Sequence, residues 1–132
     1  MTEQSNYVFY DEQFLSLINY DPGSDCWGIS NPVSENQSKL ATSLIPNLLK
    51  NVQENVADVD SLNFFEIARI WKPTKTDERG EYKKLSGIFF EKRKDVEFYD
   101  CKTYITGFLN VVGILPEQIS FLKVDKPDDP WF

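Results

Sequence analysis

Residues 62–71, Leu-Asn-Phe-Phe-Glu-Ile-Ala-Arg-Ile-Trp, constrain the fold more than any other stretch. Their apolar period is two. One side of the extended chain would carry Leu62, Phe64, Glu66, Ala68 and Ile70, the other Asn63, Phe65, Ile67, Arg69 and Trp71. Both sides are mainly apolar, so the pattern predicts a central strand covered on both faces. Each face also carries one charge, Glu66 or Arg69. An unpaired buried charge is costly. Two readings are open: each charge is paired or lies near a strand end, or the two mark a pocket or an inter-subunit site.

The segment before this strand predicts a helix. With Ser43 as N-cap, Pro46 falls at the third helical position, where its missing N–H costs nothing. Leu44, Leu48, Val52 and Val56 follow at steps of four, flanked by Ile45 and Leu49, and form one apolar stripe. Such a stripe serves as core or as interface. Asn47, Lys50, Asn51, Gln53 and Glu54 fall away from it. Upstream, Asn31-Pro32 is expected to be extended, and Ser34 to Gln37 fits a capping box.

Other elements read as follows. Tyr7 to Tyr10 is rich in β-formers and predicts a strand. Asp11 is a candidate N-cap for a short helix with Phe14, Leu15, Leu17 and Ile18 on its apolar face. Asp21 to Ser24 is a turn, and Cys26 to Ile29 a short strand. A polar loop from Thr74 to Lys84 leads to a strand over Leu85–Phe90, which predicts an antiparallel hairpin. Asp100 is a candidate N-cap for a helix burying Cys101, Tyr104, Ile105, Phe108, Leu109 and Val112, with Gly113 as its C-terminal cap. A last strand is expected over Ile119–Val124.

Composition narrows the function. The chain has 132 residues, enough for one domain with a core. Histidine is absent, which removes Ser-His and Cys-His nucleophile pairs and the commonest zinc ligand. Ser34 and Ser43 therefore read as caps. The two cysteines stand in no metal spacing and fit a reducing compartment. No apolar run approaches the roughly 20 residues of a membrane helix, and a cytoplasmic protein without membrane contact is expected.

The net charge of −7 argues against general nucleic-acid binding, but the charge is uneven. Residues 72–94 hold eight basic residues against four acids, so this segment is +4 and the rest −11. It is either a solvated hairpin of mixed charge or a contact for phosphate. An independent binding module using this hairpin is one function the sequence allows. A stand-alone enzyme dividing acid and base duties between carboxylates such as Glu66 and Asp100 is another.

A third reading comes from resemblance. Asn31-Pro32-Val33-Ser34-Glu35, Thr42-Ser43-Leu44-Ile45-Pro46-Asn47-Leu48-Leu49 and Phe65-Glu66-Ile67-Ala68-Arg69 stand in this order. They resemble the bacterial phenylalanyl-tRNA synthetase β subunit. Tyr7-Val8-Phe9 and Phe98-Tyr99-Asp100-Cys101-Lys102 are similar to two further family segments. The resemblance spans essentially the whole chain and implies an α+β fold, a class II aminoacyl-tRNA synthetase-like antiparallel sheet flanked by helices. It implies that residues 1–132 are one domain of a larger subunit, which continues after Phe132 into a His-Pro-Gly-Arg motif. It further implies a non-catalytic scaffold within an α2β2 phenylalanine–tRNA ligase. The α subunit would be its partner, and tRNA would be met through the whole enzyme. ATP and magnesium would serve the whole enzyme, with no cofactor in this segment. Asn31, Pro32, Ser43, Leu44, Pro46, Leu48, Phe65, Glu66, Arg69 and Lys102 are its structural or interface candidates, with no catalytic or metal-binding residue. Aligning the class II motif on Phe65–Ala68 puts Lys72 where a phosphate-clamping arginine is expected, and lysine is only a point charge. Ala41 departs from a family arginine, Asn47 and Ala68 from family glycines.

Overall fold

The computed structural model describes residues 1–24, 26–73 and 80–121. The chain divides into two compact units, 1–92 and 93–132. In the first unit, β1 (Thr2–Glu3), α1 (Glu12–Leu17), α2 (Ile45–Asn55), β2 (Ser61–Trp71) and β3 (Glu81–Glu91) follow in order. The sheet has strand order β1-β2-β3. β2 and β3 are antiparallel from Ser61↔Glu91 to Trp71↔Glu81, which bears out the hairpin. β1 joins the other edge of β2 in parallel, Thr2 beside Phe64 and Glu3 beside Phe65. The sheet is thus mixed rather than purely antiparallel.

β2 is central in strand order, and its two faces are covered unequally. The side carrying Phe64, Glu66 and Ile70 is buried. On it Leu48 and Val52 of α2 pack with Phe64, Leu62, Ile88 and Phe90. The opposite side is only partly covered: Ile67 is 48% exposed and Arg69 is exposed, while Asn63, Phe65 and Trp71 are half-buried. The expected cover on both faces is met in full on one and in part on the other. Apolar residues also occupy half-open sheet faces, because there is too little polar surface to cover a protein.

The stripe of α2 is core. Leu44, Leu48 and Val52 are buried and Val56 half-buried. The helix begins later than expected: Leu44, not Ser43, is its N-cap, and Pro46 lies in its first turn. Ser43 Oγ still accepts from Ile45 N at 3.3 Å. At the other end, Lys92 Nζ donates to Val56 O at 3.2 Å, placing a cation at the negative pole of the helix.

A second core cluster joins Tyr10, Leu15 and Ala41, with Ile18, Tyr20 and Cys26 around it. The N-cap role of Asp11 holds: Oδ1 accepts from Gln13 N and Phe14 N at 3.1 and 3.2 Å. Leu17, placed on the apolar face by the sequence, is exposed. Neither Tyr7–Tyr10 nor Cys26–Ile29 forms a strand; each contributes one isolated bridge, Phe9↔Leu40 and Gly28↔Lys39. Ser34 precedes a single 3-10 turn, Glu35–Gln37, without a side-chain cap. β3 starts four residues earlier than expected, immediately after Gly80. Gly80 has φ +55°, and a Cβ there would lie 2.4 Å from the backbone of Lys72. Lys72 N donates to Gly80 O at 2.7 Å, closing the hairpin end.

The second unit contains α3 (Phe98–Val111) and a 3-10 turn, Pro116–Gln118. Glu97 is the N-cap of α3, without a side-chain bond; Asp100 lies in the first turn. None of its residues is buried, contrary to the expected apolar face: Cys101, Phe108 and Leu109 are half-buried, Tyr104, Ile105 and Val112 exposed. Its terminus is as expected. Gly113, φ +85°, donates to Asn110 O, and Ile114 N reaches back to Leu109 O, the paired bonds of a glycine-terminated helix. Ile119 to Phe121 is not a strand; residues 122–124 of that expectation, and most of the 74–84 loop, lie outside the described residues. Among the described residues, no helix is long and apolar enough to cross a membrane.

The two faces of β2 should differ in energetic weight. Leu48→Ala, at a site with 0% exposure, is expected to cost about 2–5 kcal/mol. Ile67→Ala on the partly covered face should cost roughly 1 kcal/mol or less. Urea midpoints of the two variants check this.

Candidate functional site

The polar groups inside the first unit converge on residues 4–10, which run from the middle of β2 to the start of α2. The conspicuous acid of the sequence is the first anchor. Glu66 is 2% exposed. Its Oε1 accepts from Asn6 N at 2.8 Å, and its Oε2 from Asn6 Nδ2 at 3.0 Å. Both oxygens are satisfied by one neutral residue. Gln4 N donates to Phe65 O at 2.8 Å just before it, continuing the line of β1.

Asn47 is the second anchor. The sequence put it away from the apolar stripe, yet it is buried. Its Nδ2 donates to Tyr7 O at 3.1 Å and Phe9 O at 3.3 Å. Without it these part-buried carbonyls would need water or strand partners. Asn51 Nδ2 adds a bond to Gln4 Oε1 at 3.2 Å.

Tyr10 is the third. Its hydroxyl accepts from Thr42 N at 3.0 Å and Ser43 N at 2.8 Å, and lies 2.9 Å from Thr42 Oγ1. Burial pushes the phenol well above its usual range, so it stays neutral and holds the turn into α2. The fourth is Asp11, whose Oδ2 receives Lys50 Nζ at 2.7 Å. The hydrogen bond from Lys50 holds the Asp11 carboxyl below its usual range. Beside it, Glu12 accepts from Ser38 Oγ and pairs with Lys39 at 3.3 Å. The Ser38 bond, above all, lowers the Glu12 carboxyl as well.

A cleft of about 70 Å³ opens between Asn6, Asp11, Asn47 and Lys50. At ~30 Å³ per water it has room for about two waters, far less than the ~300 Å³ at which ligand pockets begin. Its polar walls are the anchors just described.

The sequence-stated candidates separate accordingly. Leu44, Pro46 and Leu48 are buried, and Ser43 and Phe65 half-buried. Asn31 is exposed and Pro32 half-buried, next to Ile29, whose N–H donates to Ser38 O. Arg69 stands on the partly covered face, bonded to Glu81 at 2.9 Å, a diagonal cross-strand pair. Glu66 and Arg69 therefore do not share a site, because they lie on opposite faces of β2. Lys102, in the second unit, holds Nζ 4.5 Å from the ring centroid of Phe121. The basic hairpin is not one surface either. Lys83 and Lys84 are both exposed but alternate in direction, and Lys92 caps α2.

Sequence reasoning missed Asn6, Tyr10, Thr42 and Asn47. Two signals were present: a polar residue inside an apolar helix, and a tyrosine among β-formers with no complete strand. Among the described residues, no group of three or more acids and cysteines is gathered to hold a metal ion. Lys72, which the sequence alignment set where a phosphate-clamping arginine is expected, is exposed. Cys26 donates to Leu40 O at 3.2 Å, and burial raises its thiol away from reactivity.

Two outcomes are expected. Glu66→Gln turns an acceptor into a donor facing Asn6 Nδ2; thermal or urea unfolding should show a loss of about 1–3 kcal/mol. The lowered carboxyls of Asp11 and Glu12 add stability that is complete above the ordinary carboxylate range, about pH 4. That stability is lost as pH falls through their depressed folded values. Asp11→Asn should flatten the acid side of a Tm-versus-pH curve and leave its neutral side nearly parallel to wild type.

Comparison with known proteins agrees with the resemblance. A family model described as the phenylalanyl tRNA synthetase beta chain CLM domain matches residues 1–132. The phenylalanine–tRNA ligase beta subunit of Bacillus cereus is 33% identical over 113 residues, 75% of this chain and 14% of that protein. That of Protochlamydia amoebophila is 34% identical over 108 residues, 74% of this chain and 13% of that protein. That of Anaeromyxobacter dehalogenans is 26% identical over 128 residues, 86% of this chain. The chain spans 13–16% of the length of these relatives. By its match along the whole sequence, this chain belongs to the phenylalanyl-tRNA synthetase β chain family, in the region of its CLM domain.

Proposed function

We propose that this chain is a non-catalytic scaffold segment of a phenylalanine–tRNA ligase, supporting assembly of the β subunit with the α subunit. The observation that carries this reading is the state of Glu66. It is the acid best placed by the sequence for chemistry, and both of its oxygens are consumed by Asn6. An acid or base must reach a substrate proton within about 3 Å, and Glu66, 2% exposed, already accepts one bond from Asn6 at each oxygen. Tyr10 and Asn47 are likewise engaged with backbone groups, and Asp11 with Lys50 and the start of its own helix. Phenylalanine, ATP, magnesium and tRNA would be handled by the whole enzyme in the cytoplasm. A class II-like plan for the sheet is supported by the eleven-residue antiparallel pairing of β2 with β3 and by α2 packed on one face; the parallel β1 is an addition to that plan.

The test is assembly. The purified chain mixed with α subunit of the same source is expected to co-elute with it in size-exclusion chromatography. No complex, either with this chain or with it carried in a full-length β subunit, overturns the reading. So does ATP-dependent activation of phenylalanine by this chain alone.

A further inference from the structure

We propose that residues 2–9 form a strap that opens as a unit, turning about Tyr10, while α2 and the β2–β3 hairpin stay folded. Glu66 and Asn47 hold the strap closed. Its opening brings the Glu66 carboxylate and the backbone edge of β2 at Phe64–Phe65 to solvent.

The strap buries no side chain. Thr2, Glu3, Ser5 and Tyr7 are exposed, and Gln4, Asn6, Val8 and Phe9 are half-buried. Tyr10, the next residue, is 0% exposed and lies in the core cluster with Leu15 and Ala41. Its hydroxyl bonds to Thr42 N and Ser43 N, and its own N–H donates to Lys39 O at 2.9 Å. None of these bonds involves the strap, so Tyr10 is its fixed end. Strand pairing with β2 lasts two residues, Thr2 beside Phe64 and Glu3 beside Phe65. Beyond it the strap is held by polar contacts: Gln4 N to Phe65 O, Asn6 to Glu66, Asn47 Nδ2 to Tyr7 O and Phe9 O, and Ala41 N to Val8 O at 2.8 Å. Asn51 Nδ2 adds its bond to Gln4 Oε1, and Met1 lies against Gly87 while remaining exposed.

A segment held in this way lies at the low-stability end of a fold. Apolar burial is the dominant favourable term in folding, and the strap supplies little of it. A hydrogen bond exchanged for one to water is worth little net. In the open form water meets the Asn6 donors and the Glu66 lone pairs alike. The contact of Leu48 and Val52 with Phe64 is made without any strap residue, so it survives the opening. The bonds are also lost together. Glu66 holds both donors of Asn6, and Asn47 holds the carbonyls of Tyr7 and Phe9. Two side chains thus each release two groups at once, which makes the opening cooperative rather than a fraying from one end.

Native-state amide hydrogen exchange, read residue by residue by NMR on this chain, tests the strap. Gln4, Asn6 and Ala41 report on it; Ala41 belongs to the body but donates to Val8 O. Leu48, which donates to Leu44 O, and Tyr10 report on the body. The three strap amides are expected to share one protection factor, at least about a hundredfold below those of Leu48 and Tyr10. Val52→Ala weakens the core in the closed and open forms alike, so it should speed exchange at Leu48 and leave the strap amides at wild-type protection. Ile70→Val is the milder variant with the same expectation if Val52→Ala does not fold. Asn6→Ala, which removes the bond to Glu66 Oε2, should speed Gln4 and Ala41 by the same factor. Protection that rises stepwise from Gln4 to Ala41 would mean fraying and overturns the proposal. So does protection of all three equal to that of Leu48, or a core variant that speeds strap and body amides alike, since the strap would then open only when the whole unit unfolds.

Discussion

The bidentate bond between Glu66 and Asn6 is the constraint on which the first unit depends. A carboxylate inside a sheet costs several kcal/mol unless its lone pairs are met. Here a single residue meets both, one oxygen by its backbone and the other by its side chain. That forces residues 4–10 to cross at one place. Once they cross there, Tyr7 and Phe9 present carbonyls to Asn47, Val8 O takes Ala41 N, and the Tyr10 ring reaches the turn into α2. The sheet, α2 and the Tyr10 cluster are thereby fixed to one another by polar contacts, while Leu48, Val52 and Phe64 supply the apolar contact. Removing the carboxylate would leave both half-buried Asn6 donors without this acceptor, which is why one residue has influence beyond its own bond.

Much of this organisation could be read from the sequence wherever the signal was local. The N-cap at Asp11, the i, i+4 stripe from Leu44 to Val52, the hairpin and the glycine-terminated α3 all follow from residues a few positions apart. Glu66 was correctly singled out as a charge in need of a partner. The identity of that partner was not legible, because Asn6 lies sixty residues away and belongs to no periodic pattern. Asn47 was hidden for a related reason: periodicity assigns a polar residue to solvent, and only tertiary structure shows two carbonyls waiting for it. Tyr7 to Tyr10 has strand composition, but its backbone groups are met by side chains and single bridges, so no ladder forms. The α3 expectation failed the other way. Caps and propensity set where a helix starts and stops, and they do not guarantee that its apolar side chains are buried.

The two faces of β2 divide the labour of the strand. On the closed face the charge is used internally and becomes part of the packing. On the partly covered face Arg69 keeps a carboxylate partner in reach of solvent, where an ion pair contributes about 1 kcal/mol or less. A strand built only for stability would need neither charge, since apolar residues of similar volume serve a core at least as well. Glu66 is explained by its control over where the N-terminal segment crosses. Arg69, Lys83, Ile67 and Leu85, all exposed, make no comparable contact among the described residues of the first unit.

Asn47 shows how a departure from the resembled sequence pattern can take up a structural role. The family pattern has glycine at this position, and the resemblance by itself suggested only that a side chain is tolerated. The structure shows the side chain at work, since its amide bridges the carbonyls of Tyr7 and Phe9. A glycine there has no group to offer them, so in a relative with glycine the same carbonyls must be met by water, by neighbouring backbone or by a different course of the N-terminal segment. The Glu66–Asn6 bond fixes where that segment crosses the sheet, and Asn47 fixes its path after the crossing. The first device lies within the Phe-Glu-Ile motif that this chain shares with the family, and the second lies where this chain departs from it.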